Sequence, residues 1–553
     1  MDLSHMLQDL QQGKAPEEGH SAAEPDTLLS LPVAEVLLHV QEKLKAPGLT
    51  TEQSGAILHI VEQLFRLGDR HWLFSECCSN QSTDLTREYV DFVSSLTLYA
   101  ALPLCDNDSG TLPESSFEAT PARACVVSSV VLALVQRLGN GGEAVSSHCQ
   151  ATSWVFLIGP LAPLLCVFAL THMQEQAWTS EASRTAASNL LDSVVQAGDW
   201  ETTSQLLFGK HNTERQPGVL GSILEILQSD LKRDSWKRNQ ATKHVFAWIL
   251  MQVGRPWLTD YLEKVFPPSL LMSDDYCTDN QVLGVRCLNH IVLNVVRCTI
   301  SLNFQIMPLS TVMGCKTMCG VLCVCSINIS PFQPAADLCQ YNRAQVLYHA
   351  LFNHLYTSEP QLIEVVLPCL IDLLPVLEKD PACTGLPRKP NRYDEVLRLT
   401  LTHMEMEHKL ALRSVYAKFL EHFIEKMGIV IVRHLKRLER VIIGYLEISD
   451  GPEEQTRLAI LDALEKTLLI AWPRMECRLS ALVQSLLRLL CDLSTESIPP
   501  AVREELVTKA THCLLLLDHC TQGKLKMLLK DVDSSCTSTY VLRCIETVTM
   551  AQR

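Results

Sequence analysis

Four cysteines, Cys315, Cys319, Cys323 and Cys325, fall in one uncharged stretch, "TVMGCKTMCGVLCVCSINIS", broken only by Lys316. Thiolates gathered this closely could hold zinc or take part in redox chemistry. Structural zinc sites usually draw their thiolates from C-x-x-C pairs, and these spacings supply none. A second group, His403, Glu405, Glu407 and His408 in "HMEMEH", has the residue types of a metal or acid–base site. On a helix its two histidines would stand about 140° apart, so they cannot share a ligand face as an i, i+4 pair does. A turn between two helices accounts for it better. The acids Asp274, Asp275 and Asp279 of "SDDYCTDN" lack the glycine and terminal glutamate of an EF-hand loop and read as helix-capping groups. "LGNGGEA" matches G-x-G-x-x-A at Gly139, Gly141 and Ala144, but a dinucleotide fingerprint must follow a strand. The preceding "VVSSVVLALVQRL" has helical spacing, which makes this a helix end followed by a loop. No Walker loop, G-x-S-x-G elbow or H-E-x-x-H pair occurs. The residues therefore predict no catalytic site, no bound metal and no cofactor.

One surface pattern points to binding. In "IVIVRHLKRLERVIIGYLE" an apolar stripe of Val432, Leu435, Leu438, Val441 or Ile442, and Tyr445 runs along a helix expected over 429–447. Arg433, Lys436, Arg437 and Arg440 lie largely off that stripe and form a basic face. Such a face is either an ordinary solvated surface or a docking surface for an acidic partner segment.

The elements that must carry these residues are helices. Hydrophobic residues make up 47% of the 553, charged residues 20% and aromatics 6%, a leucine-rich and ordered composition. From about Ser180 onward, amphipathic patterns alternate with short breaks of Pro, Gly, Asn or Asp, and period-two alternation is missing. The patterns predict helices over 241–253, 279–293, 341–355, 361–377, 394–404, 407–423, 429–447, 477–493 and 501–520. Ser222 and Glu225 fit a capping box, and Asp450 to Glu454 would place Pro452 and acids in a first helical turn. Helix pairs recur near the ~40–47-residue spacing of HEAT and armadillo units. The expected fold is all-α, a right-handed α-solenoid of HEAT/armadillo-like helical hairpins. We expect a disordered tail over 1–30, an N-terminal helical region over 31–150 and the solenoid over 151–553.

The formal net charge of −15 argues against nucleic acid as the main partner, since phosphates demand a basic face. The first residues, "MDLSHMLQDLQQGKAPEEGH", have no basic start and apolar core of a secretory signal, so a cytosolic or nuclear chain is expected. Its 22 cysteines then read as reduced thiols, many in apolar helical patterns such as "HCLLLLDHC". The uncharged run "WVFLIGPLAPLLCVFAL" approaches the length of a membrane span but is interrupted by Pro160 and Pro163. Two short buried helices meeting at a proline corner are expected there, with no membrane contact.

The block "IVRHLKRLERVIIGYLEISDGPEE" resembles the signature region of the Tel-two-interacting protein two family, whose members are subunits of the TTT cochaperone complex. The blocks "SWKRNQATKHVFAWILMQVGRPWL", "SDDYCTDNQVLGVRCLNHIVLNV", "QYNRAQVLYHALFNHLYT" and "DEVLRLTLTHMEMEHKLALR" resemble the same family in the same order, over roughly 154–520. The resemblance implies a helical solenoid without enzymatic activity that binds Tti-one and Tel-two. Such a complex supports maturation of phosphatidylinositol-kinase-related kinases (the mTOR, ATM and ATR family) with the ninety-kilodalton heat-shock chaperone and RuvB-like cochaperones. Two other readings remain: a metal-binding or redox protein built on the cysteine cluster, and a HEAT-type transport receptor.

By that resemblance "HIVLNV" should run directly into "PAADL", whereas here 296–333 intervene as an inserted loop containing the four cysteines and no Asp or Glu. Val296 and Arg297 are encodable by a splice-donor sequence, and 330–333 by a pyrimidine tract ending as an acceptor does. The insertion reads as a translated retained intron or a gene-model error, which transcript sequencing across the junction would test.

Overall fold

Leu, Ile and Val at i, i+3 and i+4 spacing bury one face of a helix and leave the other in water. The computed structural model repeats this device along the chain. It describes residues 32–45, 51–74, 83–107, 110–139, 155–209, 218–295, 341–379, 381, 390–533 and 538–550. The expected tail over 1–30, the insertion over 296–333 and its four cysteines lie outside the described residues. Among those described no β-strand forms, and the architecture is an α-solenoid of helical hairpins.

The chain divides into two compact units, Met1–Trp257 and Leu258–Arg553. In the first, the main helices are α1 (Val33–Lys45), α2 (Thr51–Leu67), α3 (Thr83–Tyr99), α4 (Thr120–Gly139), α5 (Val155–Met173), α6 (Glu181–Ala197), α7 (Leu220–Gln228) and α8 (Gln240–Gln252). Helices alternate between two rows: α2 packs on α4 and α4 on α6, while α1 packs on α3, α3 on α5, and α5 on both α7 and α8. The boundary expected near 150 falls in a stretch outside the described residues, and helices from both sides of it, α4 and α6, pack directly.

The second unit contains α9 (Leu262–Ser273), α10 (Thr278–Asn294), α11 (Tyr341–His354), α12 (Pro360–Leu377), α13 (Arg392–Met406), α14 (Leu410–Met427), α15 (Leu435–Leu446), α16 (Gln455–Ala471), α17 (Leu479–Thr495), α18 (Pro500–Cys520), α19 (Lys524–Asp533) and α20 (Thr539–Met550). One row runs α10, α12, α14, α16, α18 and the other α13, α15, α17, α20, each member packing on the next. The hairpin starts at Arg392, Leu435 and Leu479 keep the spacing of HEAT-like units. Gly284 permits the close pairing of α9 and α10, because a Cβ there would collide with the backbone of Met272 and Ser273.

Several local expectations change. The run from Trp154 to Leu170 does not break at its prolines: α5 passes through Pro160 and Pro163 as one helix. Each interior proline costs about 3 kcal/mol, but full burial of a Leu or Phe side chain is worth about 1.5–3 kcal/mol. Leu161, Leu165, Phe168 and Leu170 are all buried here and outweigh that cost. Among the described residues two helices are long and apolar enough to cross a membrane, Glu114–Gly139 and Pro360–Leu377, and 50% of each apolar stretch is buried inside the molecule. The helix expected over 429–447 is two elements, a 3-10 segment Gly428–His434 followed by α15. Gly428, with φ of 54°, closes α14, and the β-branched "IVIV" that follows is a poor nucleus for an α-helix. Ser222 forms no capping box, because the buried stripe of Leu220, Ile223, Leu224 and Leu227 starts α7 two residues earlier. Asp450 to Glu454 precede α16 rather than open it. Asp450 still caps the helix, accepting from the Thr456 amide at 2.8 Å, while Glu454 takes a left-handed φ of 48°. In α14, Glu407 lies outside the helix and its carboxylate accepts the amides of His408 (2.9 Å) and Lys409 (2.8 Å).

Candidate partner-binding face

The apolar stripe of α15 behaves as its spacing requires: Leu435, Leu438, Val441, Ile442 and Tyr445 are buried. The four basic residues beside it separate into two pairs. Arg437 reaches across to α13, donating to the Thr402 hydroxyl (3.0 Å) and the Arg398 carbonyl (3.5 Å), with its Nε 3.4 Å from Glu405. Arg440 meets the same carboxylate at 2.9 Å. Arg433, on the 3-10 segment, and Lys436 are exposed. Lys436 has no hydrogen bond or ion pair among the described residues.

The Glu405 contacts belong to a series. In the α12, α14, α16, α18 row, Lys418 pairs with Glu364 (3.1 Å), Lys466 with Glu421 (3.4 Å) and Glu425 (2.5 Å), and Lys509 with Asp462. In the other row Arg478 pairs with Glu439 (2.7 Å) and Arg488 with Glu447 (3.0 Å), and Arg543 of α20 bridges to Glu504 of α18 (2.5 Å). In each case the acid belongs to the earlier element and the base to the later one. Lys466 holds the Glu425 carboxyl below the usual carboxylate range, and Glu425 raises the Lys466 ammonium. Most partners are partly or fully solvated, so a single rung contributes at most about 1 kcal/mol. Like charges facing each other would be unfavourable, and the series therefore fixes the register in which helices stack.

A cleft of about 720 Å³ opens between α11, the end of α12, α13 and the 3-10 segment, with Arg398 and Arg433 among its lining residues. Its acids are engaged within its own walls. Glu378 takes Arg392 at 2.8 Å, Glu395 accepts the Tyr348 hydroxyl at 2.7 Å, and Asp394 meets His434 Nε2 at 2.9 Å. Asp394 also completes a capping box with Asn391 at the start of α13. Burial, assisted by Glu395, pushes the Tyr348 phenol well above its ordinary range, so it stays a donor. Arg398 is exposed, and its guanidinium has no hydrogen bond or ion pair among the described residues.

The other expected constellations disperse. His403 stacks on Tyr416 at 6.3 Å and meets the edge of Tyr356, Glu405 serves Arg437 and Arg440, and Glu407 caps α14. "HMEMEH" is thus a helix-to-helix turn. Burial lowers the His403 imidazole, which favours its neutral form. Asp275 is buried and bonded to Asn280 at 2.7 Å, Asp274 ends α9, and Asp279 sits in the first turn of α10. Gly139 is the last residue of α4. Among the described residues no group of three His, Cys, Asp or Glu is placed to hold a metal. The described cysteines are free thiols. Burial pushes Cys166 and Cys287 up to about 12.

Sequence reasoning missed two features. Arg398 belongs to the same surface as the α15 cations but comes from the preceding hairpin, and no local pattern links them. Arg457, 1% exposed, donates to the Leu446 carbonyl (3.0 Å) and to both carboxylate oxygens of Glu496 (2.7 and 3.1 Å). An arginine in a helical pattern gives no sign that it will be buried.

No family model matches the chain. Human TELO2-interacting protein 2 is 45% identical over 409 residues, covering 73% of this chain and 73% of the human protein. The chain belongs to the TELO2-interacting protein 2 family. The mouse member is 42% identical over 431 residues, 77% of this chain and 76% of its own length. Among solved structures, Kap121p bound to RanGTP aligns with a TM-score of 0.43 at 10% identity, over 93% of this chain and 49% of that one. Importin beta aligns at 0.34 and 12% identity, over 99% and 79%. At these scores neither likeness carries a functional argument.

Proposed function

We propose that this chain is a non-enzymatic scaffold subunit of the TTT cochaperone complex, binding a TELO2 protein and Tti-one. The observation that carries the reading is the 45% identity to human TELO2-interacting protein 2 across most of both chains. A solenoid of hairpins supports it, because stacking leaves long surfaces suited to holding other proteins. In this role the chain assists maturation and stability of phosphatidylinositol-kinase-related kinases, and through them DNA-damage and growth signalling. The ninety-kilodalton heat-shock chaperone and RuvB-like cochaperones act with the assembly without contacting this chain directly. It works in the cytoplasm and the nucleus, without a cofactor.

Co-purification tests the reading. Tagged full-length chain expressed in cells is expected to retain TELO2 and Tti-one through stringent washing, and its depletion is expected to lower the level of the kinases. A soluble, folded chain that recovers neither protein would overturn it.

A further inference from the structure

We infer that one edge of the second unit, where α9 joins α10, α11 joins α12 and α13 joins α14, docks a basic amphipathic segment of a partner protein. This deepens the scaffold reading and rests on it, because it supplies the partner chemistry for one surface of the solenoid.

Hairpin connections in a solenoid alternate between two edges, and these three fall on the same one. Contacts link them in sequence. The His354 ring at the end of α11 bonds the backbone of Ser273 at the end of α9, and the Tyr356 and His403 rings meet edge-on with 6.1 Å between centroids. Met406 stands one turn beyond His403 on the same side of α13. Large apolar side chains project from this edge into water: Tyr276 is 67% exposed, Tyr356 63%, Met406 73% and Leu410 47%. Single exposed apolar residues are ordinary, but a run of them along linked connections, rich in the tyrosine and methionine that interfaces favour, marks a surface that another protein covers.

Charge selects the occupant. Asp274, Asp279 and Glu359 are exposed on the first two connections, and neither Asp279 nor Glu359 has a side-chain hydrogen bond or ion pair among the described residues. The base beside Asp274 is His354, which burial holds below its ordinary pKa and so uncharged at neutral pH. No Lys or Arg occurs between Lys264 and Arg286 or between Arg343 and Lys379, and Lys418, which reaches α12 from α14, is taken by Glu364. Each connection joins the C-terminus of one helix to the N-terminus of the next, so the helix dipoles oppose each other there and the carboxylates set the sign. The cations of this edge lie at its α13–α14 end, where Lys409 is exposed and Arg437 and Arg440 share Glu405. A bound segment is thereby given a direction, with its basic residues against Asp274, Asp279 and Glu359 and its apolar ones running from Tyr356 to Met406. An acidic ligand is repelled at the first two connections, and among the described residues no three acids converge as a metal ion would need.

The experiment is fluorescence anisotropy on the full-length chain with a short labelled peptide of lysine and leucine. Wild type is expected to bind it more tightly than a lysine–glycine or a glutamate–leucine peptide, with affinity falling as salt rises. D279K/E359K is expected to weaken binding roughly tenfold or more, and Y356S/M406S to weaken it while keeping the salt dependence. E35K/E42K, which makes the same change of charge on α1 of the first unit, is expected to bind as wild type does. The thermal midpoint is expected to stay that of wild type; if the reversal shifts it, D279N/E359Q takes its place with the same expected direction. Unchanged affinity in folded D279K/E359K would overturn the inference, as would an equal loss in E35K/E42K or equally tight binding of either comparison peptide. Recovery of TELO2 and Tti-one judges the scaffold reading separately. Peptide binding without that recovery overturns the scaffold reading alone, and recovery with an affinity indifferent to D279K/E359K overturns this inference alone.

Discussion

The two compact units hold their helices together by different chemistry. In Met1–Trp257 the rows meet through apolar side chains and through arginines that donate to helix-end carbonyls. Arg70 bonds the carbonyls of Arg137 (2.9 Å) and Leu138 (3.3 Å) at the end of α4, and Arg137 returns a bond to Gly68 beyond α2. Two histidines are sunk into this apolar setting: His172 is 1% exposed and lies against Phe168, and His244 lies against Trp178. In Leu258–Arg553 the apolar core is just as full, but carboxylates and ammonium or guanidinium groups span successive elements. The first unit is therefore the more sensitive to what protonates a deeply buried imidazole, and the second to what removes or screens a charge.

The largest expected effect comes from the charge that has no water to fall back on. Arg457→Met strands Glu496 and Glu454 beside a buried site, and loss of one partner of a buried pair costs about 3–5 kcal/mol. Urea denaturation followed by a probe in the second unit should show that loss; a change under 1 kcal/mol would mean Arg457 is no more consequential than a surface rung. Acid should act on the first unit next. Burial lowers His172 from 6.5 to about 4 and lowers His244 likewise. The unfolded chain then binds more protons, so stability is fully present above pH 6.5 and is lost as pH falls toward 4. For His172 that loss is on the order of 3 kcal/mol, and His172→Phe should remove it from a plot of thermal midpoint against pH. If the variant keeps the same acid slope, the contrast between the units is misplaced.

Smaller effects sharpen the contrast within the second unit. Lys466→Ala should lower stability slightly, by an amount that shrinks as salt rises, and a double-mutant cycle with Glu425→Ala should show coupling that a Lys466 pairing with Asp462 would not. Smallest of all, Lys436→Ala should leave stability within about 0.5 kcal/mol of wild type, whereas Arg440→Ala should lose the few tenths of its Glu405 contact. A larger loss for Lys436 than for Arg440 would reverse their roles.

Much of this was legible in the residues because helical periodicity is local. The patterns over 241–253, 361–377 and 501–520 name helices that form almost at those bounds. Where expectation and structure part, either burial or a local backbone preference overrode the apolar periodicity. Burial of Leu161, Leu165 and Phe168 carries α5 through two prolines that punctuation rules treat as a break. Gly428 and the β-branched run after it turn the first part of the basic helix into a 3-10 segment, which places Arg433 at the mouth of the cleft. The basic face itself was visible, but its division was not. Whether Arg437 is spoken for depends on Glu405, a residue of the previous hairpin that the sequence offered as part of a metal-like cluster.

The direction of the ion pairs has a consequence for how such a chain can change length. Because every pair in that series runs from an earlier acid to a later base, the rungs share one polarity, with the buried Arg457 and its later acid Glu496 as the exception. Excising the whole α15–α16 hairpin would bring Arg478 to Glu405, and Lys509 to Glu421 and Glu425, again base against acid. Removing a single helix would instead exchange the two rows and set each apolar stripe against a surface built for water. Apart from Glu496, which would lose Arg457, the rungs are expected to survive the loss of a whole hairpin better than the loss of a single helix, as a sentence survives the loss of a clause but not of half a word.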